Sequence, residues 1–286
     1  MHILYSMSNW LNWNKHRLIA GFTEVVLTAG AIMKNKRNNE LAVCGFAAVK
    51  ALEQKPEKIS RLYFTADRAY SFGALCRLLA AKRIPYNQAV PEELEKLCGS
   101  VHHQGAVAMI RTPELPSVCE RDIEAWRISN ETVLLLDRIG NANNFGAIVR
   151  SAAFFGVTNL VISGDENQSY ITTSAYRTAQ GAMEKVMVFS VSSTAVFLKK
   201  VGGIFPRIGT DSCGGQLVHA PDIFPAEGCV LVLGNEETGI SRAVRENCDM
   251  LVSVPSPLKT PLVDSLNVAQ AASILLYEAA KRKNHV

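Results

Sequence analysis

The residues best suited to chemistry follow apolar runs in the C-terminal half of this 286-residue chain. The first set includes Asn144 and Arg150 and opens a predicted helix over 145–155, with Asn144 as its N-cap and Gly156 closing it. At about 100° per residue, Arg150 faces away from the apolar stripe through Ile148 and lies near the helix N-terminus, where anions are favoured. A guanidinium there suits a phosphate, but an ordinary solvated arginine behind an asparagine cap gives the same pattern.

The second set follows the apolar run 229–233. Gly234 and Gly239 bracket Glu236 in a loop tight enough for the backbone to approach a ligand closely. The spacing of the glycines is not that of a phosphate-binding loop. A plain strand-to-helix turn, with a helix after Ser241, is the alternative interpretation.

The third set runs from Ser265 to Val268, directly before a predicted helix over 268–281. It contains Asn267, and a Ser or Asn just before a helix is normally only a cap. Each set taken singly is therefore weak evidence for a site.

Parallel strands would bring these sets together. Four runs rich in Val and Leu are the strand candidates, at 132–136, 157–163, 229–233 and 250–254. Because they alternate with helical patterns, they predict an α/β fold with a parallel sheet covered on both faces. Ligands bind beyond the carboxyl ends of such strands, which is where the polar sets lie.

The upstream half of the chain differs in charge. Residues 38–111 alternate strand-like and helix-like runs and carry ten Lys/Arg against seven Asp/Glu, whereas residues 112–286 carry fifteen against eighteen. A polyanion would meet the first of these segments first, although imbalances this small also arise by chance. Two prolines and a short helical pattern predict a linker at 112–131. Residues 1–37 show no core pattern, and a true start at Met33 is one interpretation.

The composition excludes several classes of protein. Seven cysteines are scattered without a C-x-x-C pair, which argues against a disulfide framework and a zinc site and favours the reducing cytoplasm. The apolar stretch 18–33 contains Glu24 and is too short to span a bilayer, so a membrane protein is not expected.

Together and in this order, the three sets resemble the motifs of the SpoU-type (TrmH-like) RNA 2'-O-ribose methyltransferase family of the SPOUT superfamily. The motif N-x-G-x-I-x-R-x-A matches Asn144, Gly146, Ile148, Arg150 and Ala152. The motif L-x-x-G-x-E-x-x-G-x-S matches Leu231, Gly234, Glu236, Gly239 and Ser241. The motif S-L-N-V matches Ser265, Leu266, Asn267 and Val268. The match covers about residues 132–282, and three ordered motifs rarely coincide by chance.

The resemblance implies a trefoil-knotted, parallel-sheet methyltransferase domain at 132–286, preceded at 38–111 by a small L30e-like α/β domain that binds the RNA substrate. The upstream likeness rests on the stretches around Cys44 and His103, and Cys44 stands where the family usually has His. A second departure is the stretch 255–265, which is longer than in the family and has no glycine. In the family this loop helps to hold the cofactor.

The resemblance also implies that S-adenosyl-L-methionine donates a methyl group to a ribose 2'-hydroxyl of structured RNA, with ribosomal RNA ranked ahead of transfer RNA. The protein would be a homodimer through its knotted domain and would need no metal. The implied catalytic residues are Arg150, Asn144, Glu236, Ser265 and Asn267, and the implied cofactor-binding residues are Gly234, Asn235, Val254 and Leu266. Arg150 is the family's proposed base. Because a guanidinium keeps its proton above about pH 12, we expect it instead to fix the neighbouring phosphate and the hydroxyl.

Two other classes of function stay open. A non-catalytic SpoU-like RNA-binding paralogue would keep the fold without binding the cofactor, and the altered loop before Ser265 favours this alternative. A small-molecule α/β enzyme would need no RNA. The basic upstream half and the lack of a nucleophile–base pair count against it. In each case we expect a cytoplasmic protein.

Overall fold

The computed structural model describes residues 39–164, 167–212, 214–258 and 261–284. The expectations for residues 1–37 therefore lie outside the described residues. In chain order the strands are β1 (Glu40–Cys44), β2 (Ile59–Phe64), β3 (Tyr86–Gln88), β4 (Ala106–Arg111), β5 (Val133–Asp137), β6 (Asn159–Ser163), β7 (Met187–Val191), β8 (Arg207–Thr210), β9 (Gln216–Leu217), β10 (Val230–Gly234) and β11 (Met250–Ser253). The helices are α1 (Phe46–Ala51), α2 (Gly73–Ala81), α3 (Pro91–Cys98), α4 (Glu120–Ile128), α5 (Ala142–Phe154), α6 (Thr173–Ala179), α7 (Thr194–Val201), α8 (Arg242–Arg245) and α9 (Val268–Asn284).

Seven strands form a fully parallel sheet in the order β7-β6-β5-β10-β8-β11-β9. The four strands predicted from Val and Leu runs are β5, β6, β10 and β11, each within two residues of its expected bounds. The parallel sheet is therefore confirmed. Strands β7, β8 and β9 were not predicted. Strands β8 and β9 are short and mix apolar with polar residues, and β7 is an edge strand of which only the middle is buried.

Both faces of this sheet are buried, because successive side chains of a strand point to opposite faces. Leu134 and Leu136 of β5 pack with residues of α5, α6 and α9. Val133 and Leu135 of the same strand pack on the other face with residues of α4, α7 and α8. The predicted helices on both faces of the sheet are thus confirmed, and the seven-stranded sheet lies between two hydrophobic layers.

Helix α5 begins earlier than predicted. Asn141, not Asn144, is its N-cap, and its side chain accepts hydrogen bonds from the backbone N–H groups of Asn143 and Asn144. Gly156 follows the end of the helix with a φ of +77°, as expected for a C-terminal glycine. The prediction that Asn144 caps this helix is therefore wrong, since an equally good cap three residues upstream takes that role and leaves the Asn144 side chain free for other contacts.

A second, four-stranded sheet is built from the upstream segment, in the order β1-β4-β2-β3. Its pairs are antiparallel except for β2 with β3. One hydrophobic core runs continuously from this sheet to the large one, and it includes both Leu62 of β2 and Phe145 of α5. The two sheets are therefore parts of a single packed body.

A buried carboxylate strengthens the contact between the two sheets. Glu184 is nearly inaccessible, and its carboxylate forms a salt bridge with Lys58 at 2.6 Å and accepts a hydrogen bond from the Tyr176 hydroxyl at 3.0 Å. Lys55 donates to the carbonyl oxygen of Glu184 at 2.8 Å. Burial next to this carboxylate raises the pKa of Tyr176, so the phenol stays protonated and keeps donating. The small sheet is thus fastened to the large one by charge as well as by packing.

The segment predicted as a linker carries the helix expected there, α4. Its Ile123 and Trp126 are buried in the same layer as β5, and Val118 donates a backbone hydrogen bond to Ser190 of β7. The segment therefore packs along the large sheet. No helix among the described residues is long and apolar enough to cross a membrane.

Candidate functional site

The site forms where the winding of the large sheet reverses. Strands β5 and β10 are neighbours, and Asp137 at the end of β5 is in register with Gly234 at the end of β10. The chain leaves β5 toward β6 and β7 on one side, while β8 and β11 lie on the other side. Such a switch point opens a crevice beyond the carboxyl ends of the two strands. The first two polar sets of the sequence follow these two strands.

The loop after β10 is a tight turn held by Asn235. Its side-chain oxygen accepts from the backbone N–H groups of Glu237 and Thr238, both at 3.0 Å, and its amide donates to the carbonyl oxygen of Arg138 at 2.8 Å. A side chain at Gly234 would overlap the backbone of residues 239–240. Glycine is therefore required at 234, and the Asn235 side chain is occupied in shaping the loop.

Asp137 fastens this loop to β5. It is buried, and its carboxylate accepts from the backbone N–H of Ser241 at 2.7 Å and from the Thr194 hydroxyl at 2.9 Å. Sequence reasoning did not assign Asp137 a role, although an acid that ends an apolar strand inside a motif is a usable signal. Burial raises the pKa of the nearby Cys248 thiol to about 11, so this thiol stays neutral near pH 7.

Three predicted site residues, one from each motif, form a cluster that we call the polar junction: Glu236, Asn144 and Asn267. Glu236 accepts from the Asn144 amide at 2.8 Å, and Asn144 in turn accepts from the Asn267 amide at 3.0 Å. Glu236 also accepts from the backbone N–H groups of Gly140 and Asn141 at 3.3 and 3.2 Å. A carboxylate at a helix N-terminus is favoured by the helix dipole. The junction therefore ties the three motifs into one unit.

Asn267 has a second role as the N-cap of α9. Its side-chain oxygen accepts from the N–H of Ala269 at 2.9 Å, and its carbonyl accepts from Ala271 at 3.0 Å. Helix α9 then packs along α5, where the hydroxyls of Ser151 and Ser273 lie 2.8 Å apart. The start of α9 is thus fixed at the end of the polar junction.

Arg150 lies apart from the junction. It is exposed in the third turn of α5, farther from the helix N-terminus than predicted, because the helix begins at Ala142. Within the described part of the chain its side chain makes no hydrogen bond or ion pair. It does face away from the buried Ile148 and Ala152, as predicted. Phe154, one turn further along the same face, is 83% exposed.

Gly146, the motif glycine between Asn144 and Ile148, has a packing role. A methyl group built on it would lie 2.5 Å from the carbonyl oxygen of Ala175 and 2.9 Å from Cβ of Thr178, both on α6. Only glycine lets α5 and α6 approach this closely. Gly146 therefore sets how closely α5, the helix that carries Arg150, packs on α6.

A cavity of about 620 Å³ opens beside the loops that follow β10 and β11. All four residues implied to bind a cofactor line it: Gly234, Asn235, Val254 and Leu266. Glu236 and Ser265 also line it, whereas Arg150, Asn144 and Asn267 do not. The polar junction therefore stands at the rim of the cavity, and Glu236 belongs to both. No group of three or more metal-binding side chains occurs among the residues that the structure describes.

The comparisons with known proteins agree with this geometry. Residues 131–277 match the model of the SpoU rRNA Methylase family, and residues 42–116 match the model described as RNA 2'-O ribose methyltransferase substrate binding. The mitochondrial rRNA methyltransferase 1 of Homo sapiens is 31% identical over 256 residues, covering 82% of this chain and 70% of that protein. The 23S rRNA (guanosine-2'-O-)-methyltransferase RlmB of Acinetobacter baylyi is 28% identical, covering 81% of this chain and 93% of that protein.

Solved structures show the same architecture. The SpoU methyltransferase AviRb from Streptomyces viridochromogenes, in complex with AdoMet, is 25% identical with a TM-score of 0.65, covering 86% of this chain and 91% of that one. An AdoMet-bound rRNA methyltransferase from Sinorhizobium meliloti shares the fold at 20% identity and a TM-score of 0.66, covering 86% and 88%. An α/β fold with three motifs joined at one crevice thus defines a methyltransferase class. The chain belongs to the SpoU rRNA methylase family.

Proposed function

We propose that this protein transfers a methyl group from S-adenosyl-L-methionine to a ribose 2'-hydroxyl of ribosomal RNA. The observation that carries the proposal is the polar junction, in which Glu236, Asn144 and Asn267 join the three family motifs at the rim of one cavity. Two relatives with a defined substrate in their names, RlmB of Acinetobacter baylyi and the human mitochondrial rRNA methyltransferase 1, are named for ribosomal RNA, which ranks it ahead of transfer RNA.

The cavity fits the cofactor by size and chemistry. Its volume of about 620 Å³ lies in the range of ligand pockets. Val254 and Leu266 offer apolar surface, while the backbone around Gly234 can approach a ligand closely. When bound there, S-adenosyl-L-methionine supplies a methyl group activated by its sulfonium. That transfer requires no metal to activate the leaving group, since the sulfonium departs as a neutral thioether.

The residues of the chain then position the ribose. The Arg150 guanidinium, which has no partner among the described residues, holds the phosphate next to the target ribose through its planar fork of charged donors. The ribose 2'-oxygen forms its bond to the methyl carbon as the carbon–sulfur bond breaks, and its proton passes to an oxygen of the phosphate that Arg150 holds. The polar junction keeps Ser265 and the loop after β10 in place at the cavity.

The same proposal includes the finer parts of the fold. The loops that follow β10 and β11 are threaded as a trefoil knot, and residues 38–111 form an L30e-like domain that binds RNA. Support for the second part is the family match of residues 42–116 and the excess of basic residues there. This protein acts on ribosomal RNA, and we place it in the cytoplasm.

A homodimer through the methyltransferase part completes the proposal. The exposed face of α5 carries Arg150 and Phe154, and at its end Phe155 packs on Tyr277 of α9 with ring centroids 6.2 Å apart. Phe154 is 83% exposed and Tyr277, on the neighbouring α9, is half exposed, so this face suits a partner helix. Such a partner would bring Arg150 of one subunit to the cavity of the other, since Arg150 does not line the cavity of its own chain.

A non-catalytic RNA-binding paralogue is the second candidate function. The observation that favours it is the lengthened third-motif loop, whose Leu262 is 89% exposed and whose Val263 and Leu266 are also exposed at the cavity. Isothermal titration with S-adenosyl-L-methionine separates the two. Binding with an affinity near cellular cofactor levels supports the enzyme, and no binding to the folded protein supports the paralogue.

The direct test is methyl transfer by the full-length chain. Radiolabelled S-adenosyl-L-methionine and deproteinised ribosomal RNA from cells lacking the gene are the substrates. Label that resists alkaline cleavage at one position, recovered as a 2'-O-methylated nucleotide, is the expected result. Label in transfer RNA alone, or in no RNA, contradicts the proposed substrate. The full chain is needed, because cutting before residue 112 would remove the partners of the buried Glu184.

A further inference from the structure

The loops at one end of the small sheet meet helix α6, which packs on α5. The segments after β1, after β2 and before β4 lie at this end, and the backbone is unusual there. Gln104 and Gly105 both have a positive φ, of 51° and 77°, and so does Gly45 at 101°. The Gln104 side chain accepts from the backbone N–H of Phe46 at 3.0 Å, which holds the first and third segments together. Positive φ at a non-glycine residue carries a cost that the surrounding structure must offset.

Arg68 is held rigidly in this cluster. Its guanidinium carbon lies 4.9 Å from the centre of the Phe46 ring, and a methyl group built on Gly105 would lie 3.0 Å from its Cγ. Its Nε is buried with no hydrogen-bond partner, and its outer N–H groups make no hydrogen bond among the described residues. The Arg68 Nε atom lies 3.5 Å from Oδ2 of Asp67, a carboxylate that is largely exposed. Most of the guanidinium is therefore free to bind a ligand.

Arg177, on α6, contacts the same cluster at Gly45. A methyl group on Gly45 would lie 4.0 Å from its Cγ, so its stem packs on the small sheet. Its guanidinium donates one long hydrogen bond, of 3.4 Å, to the side-chain oxygen of Asn143. Asn143 directly precedes Asn144 of the polar junction. Arg177 thus joins the small sheet to the start of α5.

We infer that Arg68 and Arg177 form a phosphate clamp that leads the RNA backbone from the small sheet to the methylation site. The inference rests on the proposed function. The two arginines pack on the adjacent residues Phe46 and Gly45, and both have donors to spare, so they suit neighbouring phosphates of one strand. Arginine donors in a fixed fork match phosphate oxygens well. The exposed Asp67 turns into solvent when a phosphate takes its place.

Tyr70 supplies a contact for a base beside this clamp. It follows Arg68 by two positions in the loop after β2, and its side chain is 98% exposed. Bases of single-stranded RNA stack on aromatic rings without regard to sequence. A ring left entirely in water next to an uncommitted arginine fits an unpaired nucleotide of an RNA loop.

The salt dependence of RNA binding tests the clamp. The probe is a fluorescein-labelled RNA hairpin with an unpaired loop, of about 20 nucleotides, titrated at several salt concentrations. Arg68→Gln and Arg177→Gln should each lower the slope of log affinity against log salt by about 0.7, and the affinity near 0.1 M salt by about fivefold. Arg121→Gln is the matched control, since Arg121 is exposed on α4 at a distance from the clamp. Tyr70→Ala should weaken binding with an unchanged slope, and Tyr70→Phe should not.

The outcomes separate the clamp from the proposed function. Melting temperature and cofactor titration confirm that each variant is folded with an intact cavity. If the wild type methylates ribosomal RNA while both arginine variants keep the wild-type slope, or if Arg121→Gln loses as much, the clamp is wrong. Unchanged affinity in Tyr70→Ala overturns the stacking contact. A wild type that neither binds the hairpin nor methylates RNA overturns the proposed function itself.

Discussion

The polar junction and the exposed face of α5 are two regions of one site with opposite character. In the junction, Glu236, Asn144 and Asn267 are bonded to one another, and Glu236 also accepts from backbone N–H groups. On the exposed face, Arg150 has no partner within the described residues, and Phe154 stands almost wholly in solvent. Asn144 of the junction and Arg150 of the exposed face nevertheless belong to the same short motif. The difference separates residues that hold the site together from a residue that is available to the substrate.

This contrast assigns different costs to substitutions. Side chains whose donors and acceptors are all used stabilise the fold, and removing one leaves a partner unsatisfied. A side chain without partners contributes little to stability, and its loss is felt only in the reaction. Substitutions in the two regions should therefore affect stability and turnover separately.

Arg150→Ala should have the largest effect, and on turnover alone. Loss of the group that holds the target phosphate should lower single-turnover methyl transfer a hundredfold or more, which is about 2.7 kcal/mol. Stability should change by no more than about 0.5 kcal/mol, since the side chain is exposed. Cofactor affinity should hardly move, because Gly234, Val254 and Leu266 are untouched. Single-turnover assays with parallel melting curves measure both.

Two companion variants sharpen this result. Arg150→Lys should also fail, because a point charge does not reproduce the planar fork of donors. Arg121→Ala, an exposed arginine elsewhere, should keep wild-type turnover. A folded Arg150→Ala protein that methylates at the wild-type rate would end the claim that this residue acts in the reaction.

Glu236→Gln should have the next largest effect, and on stability. The carboxylate only accepts hydrogen bonds, from Gly140 at one oxygen and from Asn141 at the other, whereas an amide would turn its NH2 group toward one of these two N–H groups. We expect a loss of about 2 kcal/mol in the free energy of unfolding, measured by denaturant titration. Glu237→Gln is the matched control, since it removes the same charge from an exposed neighbour. Equal stability of the two variants would contradict the role given to the junction.

Asn267→Ala should have the smallest effect, because Asn267 contributes a helix cap and one amide donation. Loss of the cap costs about 1 kcal/mol. Asn267→Ser keeps a cap but not the donation to Asn144, so it should be nearly as stable as the wild type while binding the cofactor more weakly. If both variants bind the cofactor with wild-type affinity, Asn267 acts only as a cap.

Much of this site could be predicted from local patterns. Val and Leu runs placed β5, β6, β10 and β11, and the rule that ligands lie beyond parallel strand ends brought the motif residues into one crevice. The cap of α5 was placed wrongly, because Asn141 and Asn144 are equally good caps by sequence and only the fold shows that Glu236 claims the second.

Contacts between distant segments could not be predicted from the sequence. Asp137 accepts a hydrogen bond from Ser241, and Glu184 accepts one from Lys58. In each case the partner is more than a hundred residues away. Periodicity describes how one element meets a core, and it carries no information about which charged side chains meet across the fold. Strands β7 and β8 were not predicted for a related reason, since their pairing with neighbouring strands, more than their own composition, makes them strands.

The buried Glu184 has a consequence for how a target is chosen. Since it holds the 3₁₀ turn that contains Lys58 against the body of the large sheet, it fixes the distance from the proposed phosphate clamp to the cavity. An enzyme with a fixed span does not need to recognise every base around its target. Under the proposed function, the nucleotide that receives the methyl group is the one that the shape of the RNA places at that distance from the clamp.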